Sequence, residues 1–271
     1  MRGTSQASYE ATRAAVDPVL VAAGEDAKTI GEQLFAVVDA LDSSGSLRRS
    51  VADPSRSAKD KSALISAVLS GGFDPRTVSI MEALVSQRWS RDTELVNSVS
   101  LLAIDAYLAS AQSRDALIRV ESELFAIIHG LDGQRELRQA LSDSSTDASR
   151  RVRLVEELVA GKADPVTVAL AARATAVPRG ERFVPALARI SDVAAARRKR
   201  TVAHVKTGSP LSQAQQDRLE QLLTNAYGYG MQLDIAVEPS VIGGMRIQVG
   251  TDVVDATVLS RLADARRELA G

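Results

Sequence analysis

The chain has 271 residues, 45% of them apolar and 25% charged, which suits one large domain or about two smaller ones. Its 33 basic and 34 acidic residues nearly cancel, so the overall charge does not favour nucleic acid or an anionic membrane. The lack of Cys excludes disulfides, thiolate metal sites and a cysteine nucleophile. The two histidines, His129 and His204, do not have the sequence spacing of a pair of metal ligands or of a catalytic triad.

The sequence also disfavours a protein that stacks on nucleic-acid bases or sugars, and a secreted or membrane-spanning protein. Aromatic residues make up only 3% of the chain, so rings for stacking on bases or sugars are scarce. Residues 1–10 do not look like a secretory signal, and no apolar run approaches the roughly 20 residues that span a bilayer. We therefore expect a cytosolic protein that reaches a membrane only by binding something embedded there.

The chain contains an internal repeat. Residues 34–85 and 124–175 align without a gap and share sixteen identical positions, where about four would occur by chance. In the first copy, Gly71 suits the left-handed end of a helix, Asp74 can cap the next helix, and Pro75 fits its first turn. The second copy repeats them as Gly161, Asp164 and Pro165.

Apolar residues around these segments recur with the period of a helix. Such a stripe predicts a first helix through Val16 and Leu20 and a long helix from Leu95 that ends near Ser113. We expect residues 1 to about 198 to be all-helical. The simplest architecture is two tandem bundle units, 1–112 and 113–199, joined through the long helices around residues 91–130.

The pattern changes near residue 200, and residues 200–271 form a third predicted unit. Alternating apolar residues predict strands at 201–206, 231–237 and 245–249. Ser212 and Gln215 form a capping box at the start of a helix that Gly228 can end. The predicted fold is therefore mainly α, a duplicated helical bundle followed by a small α/β module with a three- to four-stranded sheet.

The α/β module resembles a known family. The sequences GSPLSQAQQDRLEQLL and LDIAVEPSVIGGMRIQVGTDVVDATVLSRL are similar to the C-terminal signature of ATP synthase delta subunits, the counterparts of the mitochondrial oligomycin-sensitivity-conferring protein. The similar features are Pro-Leu-Ser at 210–212, Ile-Gly-Gly at 242–244 and Val-Val-Asp at 253–255, in the family's order. Ala256 replaces a usual glycine, so the turn there is expected to be opened or shifted.

The resemblance extends over the whole chain, with the second helical copy most similar to the family's bundle. The first copy is additional, as in the enlarged actinobacterial form. The resemblance implies a stator subunit in which the bundle binds the N-terminal helices of the alpha subunits and the α/β module binds the C-terminal end of the b subunit stalk. It implies no catalytic residues, cofactor, metal, nucleic-acid binding or membrane insertion, and a peripheral place on the cytoplasmic side of the cell membrane.

Candidate interface and turn residues lie in the α/β module. The stripe of Val258, Leu259 and Leu262 either covers the small sheet or forms a docking site for a partner helix. Gly243 and Gly244 stand between strands and lack the G-x-x-x-x-G-K-[ST] pattern, which favours a turn over a phosphate cradle.

Three other features have a structural and a functional interpretation. Trp89 is interpreted as a packing residue, with an interface anchor as the alternative. The arginines of 150–153 and the basic run 197–200 are interpreted as solvated helix surface, with a phosphate or acidic-lipid contact as the alternative for the latter. The sequence does not distinguish which helical copy binds alpha, because a core stripe and a docking stripe look alike.

Two other function classes remain open at this stage. A helical-repeat adaptor with an RNA-binding α/β tail would need a clustered basic face on the C-terminal module. An enzyme that uses Mg²⁺ on Asp234, Asp252 and Asp255 lacks an accompanying nucleophile or phosphate loop.

Overall fold

The computed structural model describes residues 3–159, 161–200, 202–227, 231–239, 241, 244–249 and 252–255. The chain forms two compact units, Met1–Ala194 and Ala195–Gly271, and each has its own hydrophobic core. The predicted fold class, a helical region followed by a small α/β module, is confirmed.

Eleven α-helices precede the first strand in the described part of the chain. The first copy, extended to the whole bundle around residues 34–85, contains α1 Thr4–Ala23, α2 Ala27–Ser43, α3 Gly45–Ala52, α4 Ala58–Leu69 and α5 Pro75–Ser86, followed by α6 Asp92–Gln112. The second copy continues with α7 Leu117–Gly130, α8 Arg135–Ser142, α9 Ala148–Val159, α10 Pro165–Ala176 and α11 Phe183–Arg200.

The retained residues of the repeat have the predicted local roles. Gly71 and Gly161 adopt left-handed φ values of 89° and 68° just after α4 and α9. The Asp74 carboxylate accepts a hydrogen bond from the Arg76 amide at 2.8 Å, and Asp164 accepts one from the Val166 amide at 2.9 Å, each in the first turn of its helix.

A second side-chain contact also occurs in both copies. The Gln33 amide oxygen on α2 accepts hydrogen bonds from the Asp74 amide at 2.9 Å and the Thr77 hydroxyl at 2.7 Å. The equivalent group in the second copy is a carboxylate, and it makes the same two bonds through Glu123, Asp164 and Thr167, at 2.8 and 2.6 Å. The two copies thus fix the second helix against the fifth in the same way.

The long helix α6 belongs to both copies. At the 90-residue offset, residues 4–22 of α1 correspond to 94–112 of α6, and residues 93–110 of α6 correspond to 183–200, which form α11. Because helices of both copies pack on α6, 16 of its 21 residues are buried. The core is continuous across both copies, and the boundary between residues 112 and 113 stays a prediction.

The two copies also meet away from α6. Arg173 on α10 forms a two-pronged ion pair with Asp39 on α2, at 2.8 and 2.6 Å, and its guanidinium lies 4.6 Å above the Phe35 ring. Arg179 pairs with Asp42 at 2.6 Å. Ion pairs and a buried ring therefore fix α10 of the second copy against α2 of the first.

Two of the predicted surface arginines are buried. Arg151 on α9 is 5% exposed and Arg197 on α11 is 1% exposed, so the solvated interpretation was wrong for both. Arg151 donates to the carbonyl oxygens of Thr175 at 3.0 Å and Asp143 at 2.9 Å, at the ends of α10 and α8. A buried cation is retained there because the last carbonyls of a helix have no partner within the helix.

Trp89 has the predicted packing role. Its side chain is 7% exposed, and the indole N–H donates to the Leu84 carbonyl at 2.9 Å.

The second unit is built on a four-stranded mixed sheet. Its elements are β1 Val202–Thr207, α12 Gln213–Tyr227, β2 Gln232–Val237, β3 Met245–Val249 and β4 Asp252–Asp255. The strand order is β2-β1-β3-β4, with β1 parallel to β2 and antiparallel to β3. The predicted capping box forms, since the Ser212 amide donates to Gln215 at 2.9 Å and the Gln215 amide donates to Ser212 at 3.4 Å. Gly228 and Ala256 lie outside the described residues.

We predict that Gly31→Ala destabilises the helical unit. Helix α2 crosses α6 closely at Gly31, where a Cβ would lie 2.6 Å from the Tyr107 ring and 3.0 Å from the Ala103 carbonyl oxygen. The free energy of unfolding should fall by about 1–3 kcal/mol in denaturant titrations, although alanine favours helices. Gly130→Ala is the matched control, because no atom lies within 4 Å of its Cβ position, and it should not lower stability.

We also predict that Arg151→Met destabilises the helical unit by about 2–3 kcal/mol, because carbonyl groups at two helix ends lose a buried donor. The thermal midpoint measured by circular dichroism should fall accordingly. Arg153→Met on the exposed side of the same helix should change stability by less than about 0.5 kcal/mol. Equal effects of the two substitutions would contradict the role assigned to Arg151.

Candidate protein-binding surfaces

The three predicted interface residues, Val258, Leu259 and Leu262, lie outside the described part of the chain, and so does Gly243 of the predicted turn. Their roles stay predictions. Gly244 is described, and it directly precedes β3 with a φ of 153°, which favours glycine.

The sheet has one apolar and one polar face. Cross-strand pairing places Ala203, Val205, Ile247 and Val249 on the apolar face, where Leu219 and Leu223 of α12 pack with them. Val254 lies directly opposite Ile247 on the edge strand β4, yet it is 54% exposed. Val237 at the end of the other edge strand is 47% exposed. The apolar face therefore continues past the cover that α12 provides.

The polar face of the sheet carries paired charges. His204 lies 2.8 Å from Asp234, and Lys206 lies 2.7 Å from Glu238. Pairing of this kind does not make the clustered basic face that an RNA-binding tail requires. Among the described residues, no group of three or more His, Asp or Glu side chains is arranged to hold a metal ion.

The helical unit exposes large apolar side chains on α7. Ile118 is 66% exposed and Phe125 is 60% exposed, and they lie two helical turns apart on one side of the helix. The Phe125 ring lies beside the His129 ring of the same helix, with 4.1 Å between the ring centroids. The equivalent residue of the first copy, Phe35, is 8% exposed because Tyr107 and Arg173 cover it.

A cationic groove of about 860 Å³ opens at α8 and the start of α11. Arg135 and Arg138 on α8 and Arg182 just before α11 line it, with Val184 and Pro185 contributing apolar surface. Asp143 is the acidic residue in the lining, and its carboxylate accepts hydrogen bonds from its own loop, at Ser145 and Thr146. These bonds, the one from Ser145 first, lower the pKa of Asp143.

Sequence reasoning did not identify the α7 surface or the groove. Phe35 and Phe125 are identical positions of the repeat, so the pattern predicts the same burial for both. The groove had a usable signal, because the 90-residue offset, continued past the aligned segments, places Arg182 where the first copy has Asp92. A reversal of charge between otherwise similar copies indicates a position that faces different surroundings.

Comparison with known proteins supports the resemblance. The family model described as ATP synthase delta (OSCP) subunit matches residues 105–269. A protein named ATP synthase subunit delta from Beutenbergia cavernae is 45% identical over 100% of both chains. One of the same name from Kineococcus radiotolerans is 39% identical over 99% of this chain and 98% of its own.

A chain of the solved Toxoplasma gondii mitochondrial ATP synthase hexamer is also similar, at 23% identity. The similarity covers 62% of this chain and 97% of that chain, with a TM-score of 0.31, which is too low for a comparison of folds. In the part of this chain that the structure describes, no helix is long and apolar enough to cross a bilayer. The full-length relatives and the family model together place the chain in the ATP synthase delta (OSCP) subunit family.

Proposed function

We propose that this chain is a non-catalytic stator subunit of a proton-translocating rotary ATP synthase, on the cytoplasmic side of the cell membrane. Its helical unit binds the N-terminal helices of the alpha subunits in the catalytic head. Its C-terminal unit binds the end of the b subunit of the peripheral stalk. The observation that carries the proposal is full-length similarity to ATP synthase delta subunits.

The physical requirement for such a link is a static contact under torque. A rotor does work on the catalytic head only if the head is held against rotation, so each contact must dissociate slowly. Helical bundles meet this requirement by receiving an amphipathic helix on an apolar surface.

The distribution of exposed apolar residues supports a division of labour between the two units. The helical unit exposes Ile118 and Phe125 on α7, and the C-terminal unit exposes Val237 and Val254 at the two edges of its sheet. Each unit also has its own core, so each has the internal support that a separate binding surface needs.

Truncation tests the division of labour. We expect a chain that lacks residues 200–271 to bind the catalytic head and to lose the b subunit in pull-downs with tagged protein. The full chain is the control and should recover alpha and b subunits in fixed stoichiometry. Loss of both contacts after truncation would argue against separate sites, and failure of the full chain to recover either subunit would reject the stator role.

A pair of neighbouring substitutions tests the sheet surface. Val254→Lys places a charge on the apolar face and should weaken binding of the b subunit by about ten-fold. Val253→Lys is the matched control, since Val253 is also exposed but points to the opposite face of β4. Binding measured by surface plasmon resonance should separate the two variants. Equal affinities would place the stalk contact elsewhere.

A further inference from the structure

One arginine of the repeat has a different charged neighbour in each copy. In the first copy, Arg48 on α3 donates to the Asp92 carboxylate at 2.8 Å. This bond is the main reason that the pKa of Asp92 lies below its usual value. The arginine is retained in the second copy as Arg138, but the position of Asp92 is occupied by Arg182. A neutralised ion pair has thus become a pair of cations.

The arginines that line the groove lack a carboxylate partner in the part of the chain that the structure describes. Among the described residues, no carboxylate lies within ion-pair distance of Arg135, Arg138 or Arg182. Asp143 is held by Ser145 and Thr146 instead. All three arginines are exposed and line one groove. Placing like charges together costs free energy unless an anion joins them, so the groove is complementary to a negatively charged ligand.

The chemistry of the lining favours an acidic protein segment as that ligand. Guanidinium groups pair with carboxylates through two parallel hydrogen bonds. Val184 and Pro185 add apolar surface, which suits the other side of an amphipathic helix. None of the residues that line the groove is aromatic, so it offers no surface on which nucleic-acid bases stack.

We propose that the groove at α8 and the start of α11 binds an acidic, amphipathic helical segment of the catalytic head. The inference rests on the proposed function, because it names the chemistry of one contact that the helical unit makes with the head. It adds a charged contact to the apolar contact surface on α7. It assigns Arg138 and Arg182 as the residues that pair with carboxylates of the acidic segment.

Charge reversal in the full chain tests the inference. The double variant Arg138→Glu/Arg182→Glu should raise the Kd for purified catalytic head without delta by at least about ten-fold. Arg138→Gln/Arg182→Gln removes charge at the same two positions without adding repulsion and should raise the Kd by a smaller factor. The control Lys59→Glu/Lys162→Glu changes the net charge equally at exposed positions outside the groove, and its Kd should stay near that of the unchanged chain.

Salt dependence and folding complete the test. The unchanged chain should bind the head more weakly as ionic strength rises, with a smaller salt effect in the Arg138→Glu/Arg182→Glu variant. Circular dichroism should give equal thermal midpoints for all variants, because the arginines are exposed, and the Gln variant remains informative if the Glu variant does not fold.

Three results would be decisive against the inference or its basis. If the groove variants and the control bind the head like the unchanged chain, the inference is wrong while the stator role stands. If the groove variants lose binding to vesicles of anionic phospholipid but keep the head, the groove serves a membrane surface instead. If the unchanged chain does not bind the head, the proposed function itself fails.

Discussion

Burial of α6 from two sides is the constraint on which the helical unit depends. A helix that packs against two bundles has little surface left for solvent, so most of its residues are buried, 16 of 21 in α6, and most of these are apolar. Close packing follows from small side chains, as where Gly31 of α2 meets Ala103 and Tyr107. Duplication of the bundle therefore produced one continuous core.

Sharing one helix also determines where the copies are free to differ. Positions that fix helix to helix within a copy keep their hydrogen bonds, since Gln33 and Glu123 both accept a bond from a threonine hydroxyl. Other equivalent positions of the two copies differ in their surroundings or in their charge. Phe35 is covered by α10 whereas Phe125 is exposed, and Asp92 neutralises an arginine whereas Arg182 adds to a cationic groove. Divergence on an otherwise retained scaffold is how binding surfaces arise without loss of the fold.

Features fixed by neighbouring residues were predictable from the sequence. Helix ends at Gly71 and Asp74 and the capping box at Ser212 follow from local hydrogen bonding, and the structure contains them. Features fixed by distant residues were not. An apolar stripe predicts only one buried face of α6, so it does not predict that the helix packs against both copies. The burial of Arg151 depends on carbonyl groups of α8 and α10 that are distant in sequence. The exposure of Phe125 could not be predicted for the same reason, because it depends on whether distant residues cover the ring.

A shared helix has a mechanical consequence for a stator. Two bundles joined by a flexible linker would bend at the linker under torque. In this chain the copies are joined through α6, through the Arg173 and Asp39 ion pair and through a packed core, and close-packed interiors deform little. The additional copy therefore adds helices without adding a flexible linker between the copies, because one continuous core contains residues of both.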